Sequence, residues 1–154
     1  MTKGAATRRI LLAGSLLLPA SFVFGQAVTS LSARETSEAV QAKRIVLVDI
    51  RGVDEWADTG LPRGAVPFDA DGPAFEVRLA GLRLDNPGKR IVLIDRTGAQ
   101  AIAVAQKLAG RGWRDLAAVR GGMLGPGGWL AEKLPVVGYA SFLLPSGEKV
   151  PAGG

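Results

Sequence analysis

The 154-residue chain contains no cysteine and no histidine. Together these absences exclude a structural zinc site, an iron–sulfur cluster, a disulfide framework and any histidine-based triad. They define no redox compartment, because a thiol-free chain is equally at ease on either side of a membrane. Charge is missing from one stretch: after Lys3, Arg8 and Arg9, no charged residue occurs from Ile10 to Ala33. Acidic residues are absent from that whole N-terminal region, so three of the chain's 19 basic residues sit there unopposed.

What is present there is an apolar run from Ile10 to Phe24, followed by the small residues Gly25 and Ala27. A basic start, an apolar stretch of this length and a small-residue exit read as an export signal. Cleavage is expected between Gly25 and Ala27, which divides the chain into a leader (1–26), a domain (27–137) and a Gly/Pro-rich tail (138–154). The expected location is outside the cytoplasm, in a bacterial periplasm. An uncleaved N-terminal anchor is the alternative, since ~20 apolar residues can span a bilayer. Such a leader is the only membrane association expected. Thr7-Arg8-Arg9-Ile10-Leu11-Leu12 also resembles a twin-arginine signal.

The leader distorts the charge balance. Without its three bases the remainder carries 16 basic against 14 acidic residues, a net charge of +2 rather than +5. The high isoelectric point mostly describes the leader, and no nucleic-acid partner is expected from it. Hydrophobic residues at 47% and charged residues at 21% are ordinary for one globular domain.

Beyond the leader, Thr29 or Ser30 is placed to cap a helix over about Ser32–Ala42, with Leu31, Ala39 and Val40 for its inner face. Ile45–Val48, closing on Asp49, and Ile91–Ile94, closing on Asp95, are continuous apolar runs. Such runs suit strands buried on both faces of a parallel sheet. Leu116–Val119 is a weaker third copy. Helical segments are expected between them at about Val53–Ala57, Phe75–Leu84 and Ala99–Ala109. The last has Ile102, Ala105, Leu108 and Ala109 at helical spacing. Ala65–Phe68 is expected to be a short extended piece.

Alternating strands and helices imply an α/β fold with a mostly parallel central sheet flanked by helices. Ligands in such sheets sit beyond the carboxyl ends of the strands, which places Asp49, Arg51 and the segment Asp95–Gln100 on the functional edge. Asp95-Arg96-Thr97-Gly98-Ala99-Gln100 joins a strand to a helix, where successive backbone N–H groups and the helix dipole make an anion cradle. Asp49 and Arg51 are expected to make structural contacts at a strand end, involving Glu55. Trp113 and Trp129 are expected to pack in the core or at its rim.

Val48-Asp49-Ile50-Arg51, Glu55-Trp56, Gly60 and Gly64-Ala65 lie in the order and spacing of a known motif. Ile91–Asp95 with Arg96-Thr97-Gly98, then Ala103–Gly112 with Trp113, continue it. Val119-Arg120-Gly121-Gly122, Trp129 and Leu134-Pro135-Val136 close it. From about Thr29 to Val137 the chain resembles the rhodanese family. The resemblance implies a rhodanese-like fold and a loop that carries a persulfide on a cysteine at its first position. Here that position is Asp95. The usually basic last position of the loop is Gln100, Leu61 stands at the position of a usual histidine, and Gly125–Gly128 lengthens the interval before Trp129. A carboxylate is neither a soft nucleophile nor a carrier of sulfane sulfur.

These departures imply a catalytically silent domain, either a module that recognises a small anion or an exported protein partner or a surviving scaffold whose loop does nothing. No cofactor and no metal is expected. Two alternatives attach to the same residues. One is a sulfur-metabolism protein relying on a partner's thiol. The other is an Asp95-dependent phosphotransferase, since Asp95-Arg96-Thr97-Gly98 resembles an aspartyl-phosphate loop. The latter needs a second acid to hold Mg²⁺, and Asp49 is its only candidate.

Overall fold

A computed structural model describes residues 27–143. The expected leader and the tail from Leu144 onward lie outside the described residues. Five strands form one sheet in the order β1-β6-β5-β2-β4. These are β1 (Thr29–Leu31), β2 (Ile45–Asp49), β4 (Val66–Pro67), β5 (Arg90–Ile94) and β6 (Leu116–Val119). Every pairing in it is parallel. Helices α1 (Ala33–Gln41), α2 (Val53–Thr59), α3 (Phe75–Asp85) and α4 (Ala99–Gly110) connect the strands. A separate antiparallel pair joins β3 (Leu61–Pro62) to β7 (Val136–Val137), and a short α5 (Tyr139–Leu143) follows.

The apolar runs are continuous because the sheet is covered on both faces, with alternate residues entering different cores. Val48, Ile50, Ile91, Leu93 and Ala118 meet Phe75 and Leu79 of α3 and Ala101, Ala105 and Leu108 of α4. Leu47, Val92, Ile94, Ala117 and Val119 meet Ala33 of α1 together with Ala65, Met123 and Trp129. On α4 the buried row is Ala101, Ala105 and Leu108; Ile102 and Ala109 stay half-buried at its side.

Two expectations change at the N-terminal edge. Thr29 and Ser30 do not cap α1; they belong to β1, paired with Ala117 and Ala118. The cap is Ser32, whose hydroxyl accepts the Glu35 N–H, while the Glu35 carboxylate accepts the Ser32 N–H at 2.8 Å. This reciprocal box satisfies two donors that a helix start otherwise leaves open. The Ser32 hydroxyl also donates to that carboxylate at 2.6 Å, and these bonds hold Glu35 below its ordinary pKa. Ser32→Ala is expected to cost about 1 kcal/mol in urea unfolding. Because the folded-state pKa is depressed, the stability it carries is present above the unfolded carboxylate value and lost as pH falls through the folded one. The gap between parent and Ser32→Ala should therefore narrow in acid.

Only the start of the Gly/Pro-rich segment from Gly138 lies within the described residues. Within the described residues it forms α5, whose Tyr139 ring lies 5.4 Å from that of Trp56 on α2. Phe142 stacks on Tyr139 at 6.5 Å and remains half exposed. No described helix is long and apolar enough to cross a membrane.

Candidate functional site

Strands β2 and β5 lie side by side in register, Asp49 opposite Ile94. Their carboxyl ends therefore deliver the segments starting at Ile50 and Asp95 to one edge. Asp95 is 2% exposed and turns its carboxylate back into its own loop. One oxygen, Oδ1, accepts the Gly98 N–H at 2.6 Å; the other, Oδ2, accepts the Gln100 N–H at 3.0 Å. The first turn of α4 thus points two donors at a fixed anionic group supplied by the chain itself. Arg96, Thr97, Ala99 and Gln100 are exposed around it, whereas Gly98 is buried.

The loop is tight because other backbone lies against it. Gly98 has φ of +97°, and a Cβ there would sit 2.9 Å from the Val119 carbonyl oxygen. Only glycine takes that conformation at low cost in so narrow a space. From outside, the Met123 and Leu124 N–H groups donate to the carbonyls of Asp95 and Arg96, both at 2.8 Å. The glycine-rich turn 121–128, read from the sequence only as a lengthened interval, is the wall behind the loop. Its signal was visible as five glycines in eight residues.

Asp49 and Arg51 form a second buried group. Arg51 Nε donates to Asp49 Oδ1 at 2.9 Å and Nη2 donates to Oδ2 at 2.6 Å, a two-pronged pair with both side chains almost wholly buried. Nη1 donates to the Thr59 hydroxyl at 2.7 Å and Nη2 also reaches the Gly60 carbonyl at 2.9 Å. This guanidinium ties the end of β2 to the end of α2. Glu55 is not part of it, contrary to expectation. As the third residue of α2, Glu55 reaches Arg96 of the loop, 3.4 Å away. That exposed pair contributes little to stability. The structure therefore joins Glu55 to the Asp95 loop and assigns Asp49 and Arg51 to a structural clamp. Among the described residues, no three acidic side chains gather as metal ligands.

Trp129 is buried with its Nε1–H bonded to the Pro135 carbonyl at 3.0 Å, and Trp113 is a half-buried rim residue. Trp56 was quoted only as part of a motif, yet it is 4% exposed and anchors α2.

Residues 32–125 match the family model of the rhodanese-like domain. The chain belongs to the rhodanese-like domain family. Among solved structures, this rhodanese-like domain is similar to a polysulfide-sulfur transferase homodimer from Wolinella succinogenes. Identity is 27%, the TM-score 0.58, and the match covers 72% of this chain and 79% of that one. It is also similar to a protein from M. tuberculosis, at 26% identity and a TM-score of 0.56, over 70% of this chain and 96% of that one. A rhodanese-like domain protein from Staphylococcus aureus shares the fold at 22% identity and a TM-score of 0.52, covering 71% and 99%. No curated protein matches the rhodanese-like domain at a significant level.

Proposed function

We propose that this rhodanese-like domain is silent in sulfur transfer and works outside the cytoplasm as an accessory or recognition module. The observation that carries the reading is the placement of Asp95. Its buried carboxylate takes the Gly98 and Gln100 N–H groups at the position where the family resemblance expects a sulfur nucleophile. No cysteine elsewhere in the chain can substitute. A thiolate attacks and carries sulfane sulfur because it is soft and polarisable; a carboxylate locked between two donors does neither. The exposed rim of Arg96, Thr97, Ala99 and Gln100 is left as a rigid surface for an anion or an exported protein. The leader read over residues 1–26 supports export.

A polysulfide-sulfur transferase among the similar structures makes sulfur chemistry with a partner's thiol the second reading. The aspartyl-phosphate reading is weaker, because both oxygens of Asp49, its only second acid, are engaged by Arg51.

The test is a thiosulfate:cyanide sulfurtransferase assay on the parent and on Asp95→Cys. The parent is expected to show no turnover above background. Asp95→Cys is expected to gain measurable turnover, because the donors that hold the carboxylate would favour a thiolate at the same place. Turnover by the parent alone would overturn the silent reading. Silence in both would shift the assignment to a scaffold whose loop serves only the fold.

A further inference from the structure

Away from the Asp95 loop, helix α3 is apolar on both sides. Phe75 and Leu79 enter the core, while Val77, Ala80 and Leu84 form a row on the opposite side. The spacing of three and four residues makes them one stripe. Leu84 is 81% exposed and Val77 76%. Single exposed apolar side chains are common and need no explanation. This row is different because it borders a cleft of about 510 Å³ between the end of α3 and the turn after α4. Ala80, Leu84 and Trp113 give the cleft apolar surface, and its charged lining is Arg83, Arg111 and Arg114, with no carboxylate.

Two of the arginines are held by different contacts. Arg83 stands 5.3 Å from the Trp113 ring centre and donates to the Arg114 carbonyl at 2.6 Å. Arg111 is partly neutralised by Glu76, at 2.7 Å from its Oε2. Arg83 and Arg114 leave the cleft with positive charge. It lies at the far end of α4 from the loop, about 18 Å along a helix of 12 residues.

We propose that the Val77–Ala80–Leu84 face and the adjoining arginine-lined cleft dock an acidic, amphipathic helical segment of a partner protein. The row spans eight residues, about 10 Å of helix from first to last, which one small molecule in the cleft would not cover. Its side chains project as knobs, and a facing helix offers holes at matching spacing. The arginines select carboxylates beside those holes. Glu76, paired with Arg111 beside the row, interrupts the positive face, which disfavours a flat anionic bilayer.

The full chain should be used to select helical peptides from a displayed library, with counter-selection on Leu84→Asp. Enriched peptides are expected to carry apolar residues three and four apart with Asp or Glu beside them. Affinity of the best peptide should fall about tenfold or more in Leu84→Asp, the scale of losing one buried leucine. It should also fall in Arg114→Glu, and recover there when the peptide's acids are exchanged for lysine. Both positions are exposed, so thermal melting of both variants should match the parent. Four outcomes would overturn the proposal: no enrichment over Leu84→Asp, peptides without acids, affinity unchanged in both variants, or recovery failing with lysine. So would Leu84-dependent binding only to phosphatidylglycerol vesicles, or Leu84-dependent self-association in sedimentation.

Discussion

Replacing Arg51 by alanine is expected to lower the unfolding free energy by about 3–5 kcal/mol, the range for removing one partner of a buried ion pair. The size follows from what remains. Asp49 is fully buried and takes two of its three hydrogen bonds from the Arg51 guanidinium, so truncation leaves an uncompensated carboxylate in the interior with only the backbone N–H of residue 51. Thr59 and the Gly60 carbonyl lose a partner in the same step, which loosens the end of α2. Arg51→Lys should recover only part of the loss, because a single ammonium cannot reproduce the two-pronged contact and the bonds to Thr59 and Gly60 together. Replacing both charges by apolar residues of similar volume should cost less than Arg51→Ala alone. Denaturant unfolding of the three variants gives the comparison directly. If Arg51→Ala were as stable as the parent, the clamp would have no energetic role, and a ligand role for Arg51 would regain ground.

Gly122→Ala is expected to destabilise by about 2–5 kcal/mol, from an unfavourable positive φ and from overpacking. Gly122 has φ of +53°, and a Cβ there would lie 2.5 Å from the Asp95 carbonyl oxygen and 2.7 Å from the Thr97 nitrogen. Those atoms are backbone, so no side-chain rotation relieves the contact. The wall must retreat from the loop, stretching the Met123 N–H bond to the Asp95 carbonyl. Amide exchange should accelerate first at Met123 and Leu124, then at Gly98 and Gln100. In Asp95→Cys the same glycine substitution should abolish any sulfurtransferase activity gained, because the loop donors would no longer converge. Gly127→Ala is the natural control: its added Cβ would meet nothing within 4 Å, leaving only the penalty of φ at +64°.

The β2, β5 and β6 runs were legible because burial on both faces demands uninterrupted apolar residues, and alternate members of each run divide between the two cores. The Asp95 loop was legible for a related reason: a strand ending in Asp95 and followed by Gly98 marks where the chain must turn into a helix. The rhodanese-like assignment rested on motifs from about Thr29 to Val137, most of them inside the stretch 32–125 that the family model matches. By contrast, β1 is three residues with no strong apolar signature, and its identity comes from lying beside β6. Without that neighbour Thr29 and Ser30 read as helix caps, since the local chemistry of the two roles is the same.

The partners of the charged residues were not legible either. Asp49, Arg51 and Glu55 stand close enough in sequence to suggest one cluster. The structure splits them because α2 carries Glu55 toward Arg96, while Arg51 folds back against Asp49 and Gly60. By itself the sequence determined the alternation of strands and helices, the missing thiol and the carboxylate in its place, because burial pattern and residue identity are local properties. Only tertiary structure decided that this carboxylate is gripped by Gly98 and Gln100 and backed by the glycine turn, because a hydrogen bond depends on where separate segments of chain meet.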